Sequence, residues 1–261
     1  MDILEEIIAY KHIEVERCKQ EMTERAIHHA VEQIVERPVA SLHKAISESE
    51  NGIIAEFKRR SPSKGWINED ANVAEVTPGY QQVGAAAISI LTDRKYFGGD
   101  DSFITETRRA GVSIPVLYKN FIIDEYQLFQ ARLCGASAVL LIAAALSLPT
   151  CRSLLAMSHE LGLEVLLELH CERELDYVEF EPDVCGVNNR NLGTFVTDVR
   201  NSFNMASRLP DNVCKVSESG ISNPETINGL RLAGFNGFLI GETFMKSEAP
   251  AKALKEFIGK L

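Results

Sequence analysis

From Ile53 onward the chain alternates short apolar runs with longer polar or amphipathic stretches. Strands buried on both faces read as continuous apolar runs, and helical crossovers between them indicate a parallel sheet. The runs, in chain order, are IIAEFK, AAAISIL, IPVLYK, AVLLIAA, EVLLELH, VCGVNNR, VCKVSESG and GFLIGE. Eight such units over roughly 200 residues match the count and length of a (β/α)8 barrel. We therefore predict an α/β fold of this class.

Glycines support this division into strands and helices. Several predicted helices end in a glycine just before the next strand, which is the usual signal for a helix C-terminus. These glycines are Gly84, Gly111, Gly135, Gly162 and Gly234. The alternative is a doubly wound open sheet, but no G-x-G-x-x-G follows the first strand, and eight strands favour closure into a barrel.

The segment before the first strand has a helical pattern. Apolar positions such as Ile3, Ile7 and Ile8 fall at helical spacing among Glu, Lys and Arg, and PVASLHKAIS forms a second piece after Pro38. We predict one domain over residues 1–261, in which residues 1–49 form an extra N-terminal helical segment.

Charge narrows the classes of partner. A net charge of −10 argues against a nucleic-acid or anionic-membrane surface, although a local positive pocket can still bind a small anion. The acidic start MDILEEIIAYK lacks the basic region of a signal peptide, and AVLLIAAAL is too short to span a bilayer. We expect a cytoplasmic protein without nucleic-acid or membrane partners, present as a monomer or weak homodimer.

Cysteine and histidine spacing gives no metal motif. The six cysteines include no C-x-x-C pair, and their scatter in a chain of this size is untypical of a disulfide framework. The pair His28 and His29 lies in a polar helical stretch, and H-E-x-x-H does not occur. We expect reduced cysteines, several of them buried, and no metal site.

Charged residues stand at the ends of the predicted strands, where a barrel carries its active site. Glu56 and Lys58 end the first strand, and period-two alternation places both on one face. The later strand ends carry Lys119, Glu168, Asn188, Arg190, Glu218, Ser219, Gly241 and Glu242. His170 follows Glu168 by one alternation.

Each of these residues alone has an ordinary structural explanation. A strand-end lysine is more often a solvated rim residue, Glu168 could be half of a structural ion pair, and Asn188 could cap a turn. Together, however, several acids, two lysines, an arginine and an asparagine would surround one mouth. Lysines and carboxylates that share a buried site shift each other's pKa and serve as general acids and bases.

The last two strand ends suggest a phosphate site. Loops after strands 7 and 8 of such barrels, with a helix N-terminus, commonly hold a phosphate. Ser219 and Gly220 offer a hydroxyl and a closely approaching backbone, NPET starts a helix with proline in its first turn, and Gly241 lies at the next strand-to-helix turn. We therefore expect a phosphorylated small-molecule substrate.

Seven motifs resemble one family closely. IIAEFKRRSPSKG, LTDRKYFGGDDSF, PVLYKNFIIDEYQL, LLELH, GVNNRNL, SESGI and FLIGETFM occur in this order, as in the indole-3-glycerol-phosphate synthases of tryptophan biosynthesis. The resemblance implies a (β/α)8 barrel with an N-terminal helical extension. It also implies a carboxy-lyase, which closes the indole ring of 1-(2-carboxyphenylamino)-1-deoxyribulose 5-phosphate with loss of carbon dioxide and water. The family uses neither a metal nor an organic cofactor.

The resemblance also assigns roles to residues. Lys119 matches the general acid that protonates the substrate carbonyl, and Glu168 matches a base or a stabiliser of the cationic intermediate. Glu56 and Lys58 match the first-strand pair, in which the lysine binds the substrate carboxylate or donates a proton during dehydration. The matched substrate-binding residues are Asn188, Arg190, Phe121, Ser61, Ser219, Gly220, Gly241 and Glu242. Because Lys58 and Lys119 share a cavity, we expect a lowered lysine pKa.

The chain departs from the family pattern in two motifs. Tyr118 and Asn120 stand where the family often has Arg and Asp, and Asn191 stands where it often has Asp. These changes would alter a lysine pKa or the hydrogen bonds of a loop, but they leave the proton-transfer residues unchanged. We therefore expect an active enzyme.

Two kinds of alternative remain at this stage. One is another sugar-phosphate barrel enzyme, either an isomerase or an aldolase that forms a Schiff base on Lys119. The other is a catalytically silent barrel that binds a sugar phosphate.

Overall fold

Eight parallel strands close into a barrel in the computed structural model, which describes residues 3–261. Each strand pairs with its neighbour in the chain, and the last pairs with the first. The strands are β1 (Ile53–Phe57), β2 (Ala87–Leu91), β3 (Val116–Lys119), β4 (Ala138–Ile142), β5 (Glu164–Leu169), β6 (Val184–Asn188), β7 (Lys215–Glu218) and β8 (Gly237–Ile240). The predicted barrel is confirmed.

Burial explains why the strands read as apolar runs. Every residue of β1, β2, β3, β4, β7 and β8 is buried, because the barrel interior covers one face and the surrounding helices cover the other. The buried ionisable side chains at the carboxyl ends of the strands are Glu56, Lys119, Glu168 and Glu218. Burial of such groups is costly unless they are paired, so these four positions mark the candidate site.

Helices surround the barrel and follow most of its strands. They are α1 (Ile3–Glu21), α2 (Glu24–Glu32), α3 (Leu42–Ser47), α4 (Val73–Gln82), α5 (Arg94–Phe97), α6 (Ser102–Arg109), α7 (Glu125–Cys134), α8 (Leu148–Glu160), α9 (Arg200–Ala206), α10 (Pro224–Leu232), α11 (Glu242–Met245) and α12 (Pro250–Ile258). Two 3-10 segments, Ala143–Ala145 and Glu172–Phe180, follow β4 and β5. All five glycines that were predicted to end helices have positive φ, between 70° and 98°.

The N-terminal segment is helical, as predicted, and it contacts both ends of the barrel. At the amino ends of the strands, Glu164 accepts hydrogen bonds from Ser41 Oγ (2.5 Å) and the His43 amide (2.8 Å), which attaches the start of α3 to β5. At the carboxyl ends, the buried Lys11 of α1 donates to Asp93 at 2.7 Å. Helix α1 is therefore fixed beside the mouth of the barrel.

Residues 1 and 2 lie outside the described residues, so the helical prediction is not examined there. Cys151, Cys185 and Cys214 are buried, as expected for several of the cysteines. Within residues 3–261, the helices are all too short or too polar to cross a membrane.

Candidate active site

A cavity of about 530 Å³ opens at the carboxyl ends of the strands. All twelve site residues that were predicted from the sequence lie on its wall. They are Lys119, Glu168, Lys58, Glu56, Asn188, Arg190, Phe121, Ser61, Ser219, Gly220, Gly241 and Glu242. Residues from the strands and from the loops after them therefore meet at one mouth, although their individual roles stay predictions.

The floor of the cavity holds four ionisable side chains from alternate strands. Glu56, Lys119, Glu168 and Glu218 come from β1, β3, β5 and β7, and alternate strands of a barrel contribute the four side chains of one interior layer. Lys119 Nζ donates to Oε2 of Glu168 at 2.8 Å and to Oε2 of Glu218 at 2.6 Å. Glu218 was predicted at a strand end, but it was not among the predicted site residues.

This arrangement separates the pKa values of the two carboxyls. Burial raises the pKa of Glu168, but the charges of Lys119 and His170 outweigh it and lower that pKa far below its usual value. Burial and the neighbouring Glu168 raise the pKa of Glu218 to about 7, against the opposing effect of Lys119. At neutral pH, therefore, Glu168 is ionised, whereas Glu218 is present in both its protonated and its ionised form.

The expected lowering of a lysine pKa is wrong for Lys119. Burial does lower the pKa of this ammonium, but Glu168, Glu218 and Glu56 raise it above its ordinary value. The expectation considered only the charge of Lys58, whereas the structure surrounds Lys119 with carboxylates. Lys119 is consequently a fully protonated ammonium. It becomes a good acid only when one of the carboxylates around it is neutralised.

Glu56 and Lys58 form an ion pair on one face of the chain, as the alternation predicted. Their side chains are 5% and 18% exposed, so the pair belongs to the cavity wall rather than to a solvated edge. Gly241 of the neighbouring strand end makes room for it, because a Cβ at Gly241 would lie 2.3 Å from Glu56 Oε1. The pair thus needs a residue without a side chain beside it.

The segment SPSKG after β1 forms a turn between two short antiparallel strands, Arg60–Ser61 and Gly65–Trp66. Arg190 donates from Nη1 to Ser63 Oγ at 3.1 Å, so the loop after β6 touches this turn over the cavity. Asn188 accepts the amide of Arg190 at 2.9 Å, which orients the end of β6. The two loops together cover part of the mouth.

The ends of β7 and β8 form a polar corner. Ser219 and Gly220 both have positive φ, 68° and 76°, which turns the chain sharply after β7. Asn189 donates to the Ser219 carbonyl at 3.1 Å and holds this turn in place. Around the corner, Lys246, Lys64 and Lys58 lower the pKa of Glu242 against the effect of burial, so the local charge is positive although the chain is acidic. This charge suits an anion.

One wall of the cavity is apolar. Phe121 lies 6.0 Å from Phe97, centroid to centroid, and both line the cavity. Ile3, Leu4 and Ile7 of α1 line it as well, together with Leu140, Ile142, Leu192, Leu239 and Ile240. Of these residues, Phe121 alone was predicted to line the site. The apolar spacing of the isoleucines in α1 predicted a buried face, but it contained no signal that this face meets a ligand.

The residues that depart from the family pattern form their own network. Asn120 donates to Thr92 Oγ1 at 2.8 Å and to the Tyr118 hydroxyl at 3.2 Å, and this hydroxyl donates to Asp101 at 2.9 Å. Asn191 accepts the amides of Gly193 and Thr194 in an exposed turn. None of these hydrogen bonds involves the ammonium of Lys119. The three departures therefore do not change the pKa of Lys119 through a direct hydrogen bond.

No group of three or more metal-binding side chains occurs in the part of the chain that the structure describes.

A closed (β/α)8 barrel with lysines and carboxylates at its strand ends and a positive corner beside them defines an acid–base enzyme that acts on an anionic substrate. Comparisons with known proteins identify the family. The family model "Indole-3-glycerol phosphate synthase" matches residues 4–257. The chain belongs to the indole-3-glycerol phosphate synthase family, and this membership confirms the carboxy-lyase function in tryptophan biosynthesis that the sequence predicted.

Individual relatives agree with the family model. The chain is 55% identical to indole-3-glycerol phosphate synthase of Bacteroides thetaiotaomicron over 98% of each chain. It is 41% identical to the enzyme of the same name from Chromobacterium violaceum, over 97% of this chain and 96% of the relative. A mutant tryptophan synthase α-subunit from Pyrococcus furiosus has a TM-score of 0.63 at 13% identity, over 81% of this chain and 99% of that one, which shows the fold alone.

Proposed function

We propose that this chain closes the indole ring of 1-(2-carboxyphenylamino)-1-deoxyribulose 5-phosphate and that Lys119 is the general acid of the ring closure. The observation that carries the proposal is the position of the Lys119 ammonium on the cavity floor, 2.8 Å from Glu168 and 2.6 Å from Glu218. A protonated lysine that faces a cavity supplies the proton that the substrate carbonyl needs in order to become electrophilic.

The proton balance of the reaction assigns a task to each kind of side chain. The substrate carbonyl oxygen takes a proton from Lys119, and the ring carbon that bears the carboxylate attacks the carbonyl carbon. Carbon dioxide then leaves, and its bonding electrons restore the aromatic ring. The new hydroxyl leaves as water after it takes a second proton, and a carboxylate removes a proton from the adjacent carbon to complete the indole.

Charge at the floor of the cavity fits these steps. The ionised Glu168 lies where a negative charge stabilises the cationic intermediate or accepts its proton, because Lys119 keeps this carboxylate at the centre of the site. Glu218 is protonated in part of the molecules at neutral pH, since its pKa is raised to about 7. Protonation of Glu218 removes one negative charge beside Lys119 and makes the ammonium a better acid.

Lys58 is the second proton donor or the partner of the substrate carboxylate, and Glu56 is its counterion. The two side chains form an ion pair on the wall next to the floor, so a substrate carboxylate would exchange one anionic partner of Lys58 for another. Because the pair is mostly removed from water, the exchange avoids the desolvation of an unpaired charge.

Substrate orientation follows from the two ends of the cavity. The positive corner with Ser219, Gly220, Gly241 and the amide of Glu242 would bind the phosphate, and Ser61 approaches from the loop after β1. The apolar wall with Phe121 would hold the aromatic ring of the substrate. Asn188 and Arg190 lie on the wall as well and would bind hydroxyls or the carboxylate.

We further propose that residues 1–261 act as one domain, with residues 1–49 as its helical extension, in the cytoplasm and as a monomer or weak homodimer. Support comes from the cavity wall, to which both α1 and the barrel of the same chain contribute. A site of this kind needs no second copy. Sedimentation at several concentrations tests the proposal, and a stable assembly larger than a dimer would contradict it.

The activity itself is tested by mixing the purified protein with the substrate and recording the growth of indole fluorescence, with a chelator present throughout. We expect turnover that the chelator does not change. Absence of turnover with intact substrate binding would instead support a silent barrel. Loss of substrate without indole, together with a borohydride-trapped adduct on Lys119, would support an aldolase.

A further inference from the structure

His170 lies behind Glu168, between two carboxylates. Its Nε2 is 3.3 Å from Glu168 Oε1, and its Nδ1 is 3.8 Å from Glu174 Oε2. The imidazole is 11% exposed. Among residues 3–261, which the structure describes, His170 is not one of those that line the cavity. Its contact with the site is through Glu168, which lines the cavity.

The two oxygens of Glu168 have different partners. Oε2 accepts the hydrogen bond from Lys119, whereas Oε1 faces the imidazole of His170. Neither ring nitrogen of His170 makes a hydrogen bond within the described residues, so the two contacts with carboxylates become ion pairs only when the ring is protonated. A neutral ring would leave one buried nitrogen facing a carboxylate with a lone pair, which is repulsive.

Backbone contacts hold this arrangement in place. Oε2 of Glu174 accepts the backbone amide of His170 at 2.5 Å, which fixes the carboxylate beside the ring. Asn201 of α9 donates to the His170 carbonyl at 3.1 Å. The end of β5 is thus tied to the 3-10 segment and to α9, and the imidazole has little freedom to turn away.

The surrounding charges favour the imidazolium form. Burial lowers the pKa of His170, but Glu168 from β5 and Glu174 from the 3-10 segment outweigh it and raise that pKa to about 10. Glu172, at the start of the 3-10 segment, and Arg208, in the turn after α9, form an exposed pair at 3.4 Å. A positive ring at neutral pH is the consequence.

We propose that His170 is a positioning residue: its imidazolium holds Oε1 of Glu168, so that this carboxylate stays ionised and keeps Oε2 directed at Lys119. The inference rests on the proposed roles of Lys119 and Glu168. Without the charge of His170, Lys119 is the one cation among residues 3–261 that pairs with Glu168. The carboxylate then holds the ammonium proton more tightly, and proton donation to the substrate slows.

The test is His170→Gln, which keeps a polar side chain but removes the charge. We expect kcat to fall about tenfold to a hundredfold, the usual range for the loss of a charged partner of a buried carboxylate, with KM within about twofold of wild type. Activity on the acid side should also disappear at a higher pH than in wild type, since Glu168 becomes easier to protonate.

His159→Gln is the matched control. His159 also pairs with a carboxylate, Asp183, at 2.8 Å, but this pair is on the outside of the barrel, and the control should keep wild-type kcat and pH profile. Glu174→Gln should reduce kcat less than His170→Gln and lower the pH at which His170 titrates.

An NMR titration of the histidine ring protons in the wild-type protein supplies a readout that does not depend on activity. The signal of His170 is the one that is missing in His170→Gln and shifted in Glu174→Gln. We expect this ring to stay charged beyond pH 8. A neutral His170 at pH 7 would overturn the inference, and so would wild-type kcat with an unmoved acid limb in His170→Gln. Inactive wild-type protein would defeat the proposed function, and the titration would still decide the charge of His170.

Discussion

Oε1 of Glu56 occupies the space in which a side chain at Gly241 would begin, because a Cβ there would lie 2.3 Å from this oxygen. Gly241 has a φ of −122°, which any residue adopts, so the backbone itself does not require glycine at this position. The requirement comes from the carboxylate of the neighbouring strand. The two residues therefore link the polar corner at the ends of β7 and β8 to the Glu56–Lys58 pair.

Gly241→Ala should displace Glu56 from Lys58. We expect a loss of kcat of about tenfold or more, because a buried ion pair of the site is disturbed, and a smaller change in the free energy of unfolding, since Glu56 can swing into the cavity. Steady-state kinetics and urea unfolding measure the two effects. Gly259→Ala, near the exposed C-terminus of α12, is the control, and equal kinetics of both variants would refute the steric argument.

Glu218→Gln should change how stability depends on pH. Since the folded pKa of Glu218 is about 7 and the ordinary value is 4.5, the native state binds more protons than the unfolded state between these values. The stability contribution of this group therefore falls as pH rises from 4.5 to 7, by about 3 kcal/mol for a shift of this size. Glu168 contributes in the opposite sense, because its lowered pKa gives stability that is lost as pH falls below 4.5.

Urea unfolding of wild type and Glu218→Gln at pH 5, 6 and 7 isolates this contribution, since the other groups are common to both proteins. We expect the variant to gain stability relative to wild type as pH rises through this window. A constant difference between the two proteins would show that Glu218 titrates normally, and the account of the cavity floor would need revision.

Lys11→Ala should destabilise the fold, because the buried Lys11 pairs with both Asp93 and Glu14. Lys11 and Asp93 have side chains that are 2% and 0% exposed, and removal of one partner of such a pair leaves an uncompensated charge at a cost of about 3–5 kcal/mol. Lys44→Ala on α3, where the lysine is 70% exposed, is the control and should cost under about 1 kcal/mol. Similar midpoints of urea unfolding for both variants would contradict the prediction.

The barrel was predictable because its strands and helix ends leave signals in short stretches of the sequence. Each strand is buried on both faces and therefore reads as an apolar run, and each positive-φ glycine before a strand marks a helix end. Strand ends were predictable for the same reason, since Lys119 and Glu168 interrupt runs that are otherwise apolar. One such charge has an ordinary structural explanation, but several of them at the same end of the barrel indicate a site.

The pairing across the barrel was not predictable from local pattern. Lys119 and Glu218 are 99 positions apart in the chain, and they meet because closure brings β3 opposite β7. The raised pKa of Lys119 depends on that meeting, which is why the expectation of a lowered lysine pKa was wrong. Likewise, the apolar face of α1 predicts burial, whereas its place in the cavity wall depends on how Lys11 fixes the helix.

Lys119→Ala separates turnover from substrate binding. Indole fluorescence gives the rate, and calorimetric titration with the substrate gives the affinity, with the exposed Lys255→Ala as control. We predict that the rate falls by about 10²- to 10⁴-fold, the contribution of a general acid, while substrate binding is retained. A rate within a few-fold of wild type would show that Lys119 is not the proton donor of the ring closure.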